Sequence, residues 1–229
     1  MKTRSKSDET RARILAAALE LFRRQGFGQT TMREVANEAG VATGAAYYYF
    51  DSKEAIVMAF YQQAQDEVHE RIVSTLSRKK GVRARLRAIL ELRLDYFAAN
   101  RKFLGALLRH AADPADALSP FSRETESIRE GDIAHFAAAL EGVNPPADLA
   151  PHLPRLLWLY QMGIILFWLH DPSPSQKRTW DLIDKSLTLV VQLIRLAGFP
   201  LLRPLRKRVV DLLESVMGAP PLVAGRTQP

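Results

Sequence analysis

Hydrophobic residues recur three and four positions apart along almost the whole chain, which is the pattern of amphipathic helices. The first predicted helix runs from about Asp8 to Gln25, and Gly26 supplies its stop. Its apolar stripe consists of Ile14, Leu15, Ala18, Leu21 and Phe22. We find no convincing alternation with the period of a strand. The pattern therefore predicts an all-α protein.

Two short helices and a long one are predicted next. Thr31–Glu34 is a capping box, in which the threonine oxygen accepts from an amide and the glutamate reaches back, so a second helix begins there and ends at Gly40. A third helix is predicted over Gly44–Phe50. Asp51–Glu54 is interpreted as a further capping box that opens a fourth helix reaching about Ser77. The apolar residues that step along this helix are Ile56, Phe60, Ala64, Val68 and Ile72.

Six more helices are predicted beyond a basic linker. They cover about residues 83–99, 102–112, 121–141, 148–170, 175–197 and 204–217, and prolines occupy several of the breaks between them. The last helix carries an apolar stripe of Leu205, Val209, Leu212, Leu213 and Val216. We expect three parts in the chain: residues 1–51, ordered from about residue 8, residues 52–217, and a disordered tail at 218–229.

Composition limits the kinds of partner and of chemical site that the chain can have. The 229 residues are 47% hydrophobic, enough for a sizeable core, and the net charge of +7 favours an anionic partner such as nucleic acid. There is no cysteine, so disulfides, zinc–thiolate sites, iron–sulfur clusters and cysteine nucleophiles are excluded. No apolar segment of a secretory signal follows Met1, and the longest apolar run, Leu156–Leu169, is too short for a membrane span. We therefore expect a cytoplasmic protein without a membrane partner.

The second and third predicted helices, joined by Gly40–Thr43, have the geometry of a helix-turn-helix, whose second helix enters the major groove of DNA. On this third helix Ala46 and Phe50 share one side and can pack inward. The other side presents small residues and tyrosines that allow close approach and hydrogen bonding to DNA, namely Gly44, Ala45, Tyr48 and Tyr49. Taken alone, three adjacent tyrosines are explained equally well by a core patch whose hydroxyl ends reach water.

Residues 31–54 read TMREVANEAGVATGAAYYYFDSKE, and this segment strongly resembles the DNA-binding signature of the TetR family of bacterial repressors. The resemblance covers about Arg11–Ile56, and beyond it only the helical architecture is similar. It implies two sets of DNA contacts. Phosphate or backbone contacts are implied for Thr31, Arg33, Tyr47, Tyr49 and Lys53. Contacts with bases or the groove wall are implied for Thr43, Gly44, Ala45 and Tyr48.

The chain departs from the family signature at three positions. Ala42 stands where the family often has a serine that caps the third helix, and Thr43 is expected to take over that role. Ala46 and Tyr49 stand where the family often has a larger aliphatic residue and a histidine. The base preference of the family is therefore not transferable to this chain.

The resemblance further implies a homodimer that binds a palindromic double-stranded operator and is released when a small-molecule effector moves the fourth helix. The sequence itself favours dimer contacts through helices 8 and 9, at about 148–170 and 175–197. Helix 8 is apolar nearly all round, and helix 9 is rich in leucine, isoleucine and valine, so each has a second face to bury. The alternative is that the last helix covers these faces within one chain.

Two charges interrupt the apolar stripes of the larger region, Arg93 in the fifth helix and Asp132 in the seventh. Because unpaired buried charges are costly, three interpretations are open. Arg93 and Asp132 form a structural pair, or the Arg93 side chain reaches the surface, or the two residues anchor a ligand. The candidate ligand residues are Arg93, Phe97, Asp132, Trp158, Gln161 and Trp168. They suit a largely apolar or aromatic effector, which is acidic if Arg93 is free and neutral or cationic if Asp132 neutralises it.

Other chemistries lack their motifs. The five histidines are scattered, and His69-Glu70 lacks the second histidine of the zinc-protease motif. The sequence has neither a glycine-rich phosphate loop nor a nucleophile elbow. We therefore expect no metal, no cofactor and no catalytic residue, and hence a protein that is not an enzyme. Two alternatives stay open: a helical enzyme that uses a central cavity, and an activator or corepressor-dependent regulator.

Overall fold

The computed structural model describes residues 5–111 and 113–217, and the tail predicted at 218–229 lies outside them. The described residues form α-helices and two short 3-10 turns, Pro174–Gln176 and Pro200–Leu202, without a strand. The helices are α1 (Lys6–Gln25), α2 (Met32–Glu38), α3 (Thr43–Tyr49), α4 (Lys53–Leu76), α5 (Val82–Ala98), α6 (Arg101–Ala111), α7 (Glu126–Ala139), α8 (Leu153–His170), α9 (Lys177–Leu196) and α10 (Arg203–Met217). The all-α prediction is confirmed.

Helices α1 and α2 each begin with a capping box, and the cap of α2 was predicted correctly. The amide of Glu34 donates to Thr31 Oγ1 at 3.3 Å, and the Glu34 carboxylate accepts from the Thr31 amide at 2.8 Å. Helix α1 starts earlier than predicted, because Ser5 and Asp8 form a capping box before it. The capping box therefore extends α1 to residues that precede its apolar stripe.

Two predicted caps are wrong. Helix α4 is capped by Ser52, whose hydroxyl accepts from the Ala55 amide at 3.1 Å. A capping box needs a glutamate or glutamine at this third helical position, and Ala55 stands there instead. Helix α3 begins after Ala42 without a side-chain cap, and Thr43 is its first helical residue. Thr43 therefore does not replace the serine of the family signature as a cap.

Helices α7 and α8 both begin later than predicted. Residues 121–125 are turns rather than the first turn of α7, because the Thr125 hydroxyl donates to the Ser119 carbonyl at 2.8 Å and holds the segment back on itself. Helix α8 starts at Leu153 instead of residue 148. Pro151 lacks the amide that a continuous helix would need and disfavours helical backbone at the residue before it.

The buried side chains form two apolar clusters that share α4. The N-terminal core takes residues from α1, α2 and α3, together with Ile56 and Phe60 of α4 and Phe103 of α6. The bundle core takes Val68 and Ile72 of α4 and residues of α5, α7, α8 and α9. Both cores therefore hold the same helix, and the domain boundary expected at residues 51 and 52 stays a prediction.

The last helix packs differently from its predicted stripe. Leu205, Val209 and Leu212 are exposed, whereas Val210 is buried. Arg206 fastens the helix by donating to the Asp148 carboxylate at 2.9 Å. Helix α10 therefore leaves α9 residues such as Leu193 exposed, contrary to the alternative that it covers them.

Within the described part of the chain, a single helix with the length and apolarity of a membrane span is not found. The segments Pro174–Leu196 and Pro200–Ser215 meet these measures only as a pair, across a bend of 93°.

Candidate functional site

Helix α3 presents one packed side and one open side. Ala46 and Phe50 are buried in the N-terminal core, as predicted. On the open side Tyr48 is 81% exposed and Tyr47 is 50% exposed. A core patch does not explain these two tyrosines. Gly44 is exposed too, and a Cβ added there would meet no heavy atom of the described residues within 4 Å, so the fold itself does not require glycine.

The third tyrosine is part of the packing around α3. Tyr49 is half-buried, and its hydroxyl accepts a hydrogen bond from Ser7 Oγ at 3.3 Å. The rings of Tyr48 and Tyr49 meet edge to face with centroids 5.1 Å apart. Tyr49 thus joins α3 to the first turn of α1 and limits how the exposed Tyr48 can turn.

The start of α2 lies beside this surface in sequence and is exposed as well. Thr31 and Arg33 are both exposed. Hydrogen bonds from the Thr31 hydroxyl, the Thr31 amide and Gln25 lower the pKa of Glu34, because they favour its charged form. The Thr31 side chain is therefore engaged in capping α2 while its end of the helix faces solvent.

Lys53 has a structural role that the sequence did not reveal. Its ammonium donates to the carbonyl oxygens of Phe27, Gly28 and Thr30 at 3.0, 3.5 and 3.4 Å. The same nitrogen lies 4.5 Å from the centroid of the Phe27 ring. Lys53 thereby ties the turn between α1 and α2 to the start of α4. Its implied contact with the DNA backbone stays a prediction.

A cavity of about 420 Å³ lies inside the helical bundle. Five of the six candidate ligand residues line it, namely Arg93, Phe97, Asp132, Trp158 and Gln161. Trp168 is not among the lining residues, because it is buried beneath the Arg101 guanidinium, which lies 5.4 Å from its ring. The prediction missed the other lining residues, among them Tyr61 of α4, Phe121 before α7, and Arg129 of α7.

Arg93 and Asp132 form a buried ion pair on the cavity wall. Arg93 Nη2 donates to the Asp132 carboxylate and, at 3.1 Å, to Gln65 Oε1. Gly131 leaves room for this glutamine, since a Cβ there would stand 2.4 Å from Gln65 Nε2. Arg93 and Asp132 therefore pair with each other and both line the cavity. The expectation of an acidic effector loses its basis, because Arg93 is not free of a carboxylate partner.

Two histidines extend this polar cluster. His69 Nδ1 and His135 Nε2 are 2.9 Å apart, and His135 Nδ1 lies 3.9 Å from the Asp132 carboxylate. Burial lowers the pKa of His135 to about 4, and the charges of Arg93 and His69 act in the same direction. The spacing in sequence gave no signal for this pair. The described residues contain no group of three potential ligands that could hold a metal ion.

Asp132 and Gln161 meet at the inner wall of the cavity. Burial raises the pKa of Asp132, while the Arg93 guanidinium and the Gln161 amide oppose that rise. The amide approaches the carboxylate without a hydrogen bond of normal geometry, and both of its polar atoms are buried without a partner among the described residues.

Comparison with known proteins places both halves of the chain. Residues 14–60 match the family model of bacterial regulatory proteins of the tetR family, and residues 85–214 match the tetracyclin repressor-like C-terminal domain. The transcriptional regulator TtgR of Pseudomonas putida is 26% identical over 184 residues, which are 75% of this chain and 86% of that protein.

Solved structures show the same fold. The fatty acid degradation regulator FadR from Bacillus halodurans has a TM-score of 0.63 at 18% identity, over 81% of this chain and 96% of that one. FadR of Thermus thermophilus, a repressor solved in complex with lauroyl-CoA, has a TM-score of 0.57 at 22% identity, over 78% of this chain and 93% of that one. The curated relative is a transcriptional regulator rather than an enzyme. The chain belongs to the TetR family of bacterial transcriptional regulators and carries the DNA-binding helix-turn-helix of that family.

Proposed function

We propose that the protein is a homodimeric repressor that binds an inverted-repeat operator through α3 and is released when a small molecule fills the bundle cavity. The observation that carries the proposal is the position of α4. Phe60 lies in the N-terminal core, whereas the next residue, Tyr61, and Ala64 one turn later line the cavity. Because both ends of this helix are packed, a displacement at the cavity is transmitted to the DNA-binding helices.

Helix α6 provides a second connection. Leu104 and Leu107 line the cavity, while Phe103 on the same helix stacks on Phe22 of α1. Arg23 of α1 also donates to Asn100 Oδ1 at 3.0 Å, just before α6 begins. A ligand that pushes on the cavity side of α6 therefore acts on α1 directly.

The proposed DNA contacts divide by chemistry. The exposed hydroxyl and small side chains at the open side of α3 suit the base edges and the groove wall, where Tyr48 extends furthest into solvent. Backbone phosphates suit Arg33 and the exposed N-terminal end of α2. The residues proposed to touch DNA are Thr31, Arg33, Thr43, Gly44, Ala45, Tyr47, Tyr48, Tyr49 and Lys53.

The dimer contact is proposed on α8 and α9, which pack against each other and keep exposed apolar residues. On α9, Leu189, Leu193 and Leu196 share one face, because they are four and three residues apart, and all are exposed. On α8, Phe167 is exposed as well. Two such helices from each of two chains can bury these residues in a four-helix contact with two-fold symmetry.

The test is a selection of genomic DNA fragments with the full-length protein, followed by operator-shift assays with and without candidate ligands. We expect an inverted repeat whose half-sites lie about 34–36 Å apart and an affinity that falls steeply with salt. A protein without preference for any fragment contradicts the proposal. DNA binding that requires an added ligand would instead indicate a corepressor-dependent regulator, and stimulated transcription from the bound promoter would indicate an activator.

A further inference from the structure

Gln161 of α8 is a buried polar side chain that forms no hydrogen bond of normal geometry with the described residues, although its amide approaches the Asp132 carboxylate. It is 1% exposed and lines the cavity, and neither Oε1 nor Nε2 has a hydrogen-bond partner among the described residues. A primary amide offers two donors and one acceptor with two lone pairs. Leaving such a group unpaired in an apolar interior is costly, so its position on a cavity wall points to a partner that enters the cavity.

A second unpaired donor belongs to Arg93, another residue of the cavity wall. Arg93 Nε is buried without a partner among the described residues, although Nη2 of the same guanidinium is bound to Asp132 and Gln65. Because Asp132 already balances this charge, the site at Gln161 offers hydrogen bonds without a net charge. The other guanidinium on the wall, Arg129, donates to the carbonyl oxygens of Pro120 and Ser122, each at 3.0 Å, and thus holds the turn before α7.

Apart from Thr125, whose hydroxyl donates to the Ser119 carbonyl, the remainder of the wall is mainly aromatic and aliphatic. Phe121 and Trp158 meet edge to face with centroids 5.4 Å apart, and Tyr61 and Phe97 add two more rings. Such walls favour an aromatic body, since rings pack edge to face or offset against rings. The volume of about 420 Å³ lies within the usual range of small-molecule pockets.

We propose that the cavity binds an uncharged aromatic molecule with an adjacent donor and acceptor, such as a hydroxyl or amide group, that exchanges hydrogen bonds with Gln161 and accepts from Arg93 Nε. A carboxylate would accept from the two donor groups, Gln161 Nε2 and Arg93 Nε, but would leave Gln161 Oε1 facing a negative charge. An ammonium would donate to Oε1 and leave both donors unmatched. The inference rests on the proposed function only in taking this molecule to be the effector.

The experiment measures binding to the full-length protein by calorimetry, without DNA, using four probes that share one apolar body. The probes are para-butylphenol, para-butylbenzamide, butylbenzene and para-butylbenzoate. We expect the phenol and the benzamide to bind roughly tenfold more tightly than butylbenzene and para-butylbenzoate, because only they satisfy both kinds of group at the site. Equal affinity of butylbenzene, tighter binding of the benzoate, or failure of all four probes would overturn the inference.

Gln161→Met keeps the length of the side chain and removes its polar atoms. It should weaken binding of the phenol and the benzamide roughly tenfold, leave butylbenzene unchanged, and raise the melting temperature of the ligand-free protein, because the unpaired amide is gone. A lower melting temperature would show that the amide has a structural partner, and would overturn the inference. Met162→Leu is the matched control, since Met162 also lines the cavity but has no strong donor or acceptor.

Operator release is measured separately. Selective binding that depends on Gln161 but leaves operator affinity unchanged would support this inference and contradict the proposed function. Release of the operator by butylbenzene and by para-butylphenol at equal concentrations would support the proposed function and contradict this inference.

Discussion

Phe22 of α1 and Phe103 of α6 stack with their ring centroids 5.0 Å apart and their planes inclined by 20°. Both side chains are almost completely buried. Phe103 is followed by Leu104, which lines the cavity, so adjacent residues of α6 contact α1 and the space for a ligand. This stack is therefore one contact through which α6 connects the cavity to α1.

Phe103→Leu should therefore weaken the coupling between ligand and operator. Losing the stacked ring removes the contact through which α6 acts on α1, so operator affinity without ligand persists while the ligand releases less DNA. Coupling free energies in such systems are about 1–3 kcal/mol, and we expect a large part of it to be lost. The measurement is operator affinity across a ligand titration.

The matched control is Phe136→Leu, because Phe136 is equally buried but lies in the bundle core away from α1. Both variants should lower the free energy of unfolding by about 1–3 kcal/mol. Equal loss of coupling in the two variants would show that general destabilisation, rather than the stack, is responsible.

Tyr48→Ala should weaken specific operator binding by about 1–3 kcal/mol if the side chain reads a base. Stability should stay unchanged, because Tyr48 is 81% exposed. Fluorescence anisotropy with operator and with unrelated DNA measures the difference. Tyr48→Phe separates the hydroxyl from the ring. Identical operator affinity of the alanine variant and the wild type would remove Tyr48 from the recognition surface.

Arg93→Met should lower the free energy of unfolding by about 3–5 kcal/mol, because it leaves the buried Asp132 carboxylate without its cation. Urea denaturation measures the loss. Adding Asp132→Asn should recover part of it, since no charge then remains unpaired. Arg155→Met is the control, because its pair with Glu130 is exposed and should contribute about 1 kcal/mol or less. An Arg93→Met protein as stable as the wild type would contradict the structural pair.

Acid should destabilise the protein through His135. The unfolded chain takes up this proton below about pH 6.5, whereas burial and the nearby Arg93 and His69 hold the folded pKa at about 4. The free energy of unfolding should thus fall as the pH decreases from about 6.5 to 4, by at most about 3 kcal/mol. The raised pKa of Asp132 acts oppositely, since the folded protein protonates that carboxylate more readily.

The check is urea denaturation across this pH range for the wild type and two variants. His135→Gln should flatten the pH dependence, because the group that is kept neutral on folding is gone. His170→Gln should leave it unchanged, since His170 is exposed. A slope that survives the loss of His135 would assign the acid sensitivity to other groups.

Leu193→Glu should dissociate the proposed dimer, because it places a charge in the centre of the exposed apolar face of α9. Sedimentation velocity at micromolar concentration should show a monomer with unchanged helix content. Gln192→Glu is the control, because it adds the same charge at an exposed position about 100° round the helix. A wild-type protein that sediments as a monomer would contradict the dimer.

Local features of the fold could be read from the sequence. The capping box of Thr31 and Glu34, the short α2 and α3, and the inward side of α3 at Ala46 and Phe50 all depend on residues within four positions of one another. The same short range explains the errors. Thr125 reaches back to the Ser119 carbonyl six residues away, so α7 starts later than its apolar pattern suggested.

The DNA-binding segment was identified from its spacing because its chemistry is contiguous, with one helix and one turn presenting all the implied contacts. The cavity is different, since it is the space left between helices whose positions depend on packing far along the chain. The sequence pattern identified Arg93 and Asp132 as charges within apolar stripes. Only the tertiary structure shows that these two residues, 39 positions apart in the sequence, form a pair. His69 and His135 lie 66 residues apart and meet at 2.9 Å. Side-chain periodicity determines which face of a helix is buried, but tertiary packing alone decides which buried polar groups find partners and which, like Gln161, are left facing a cavity.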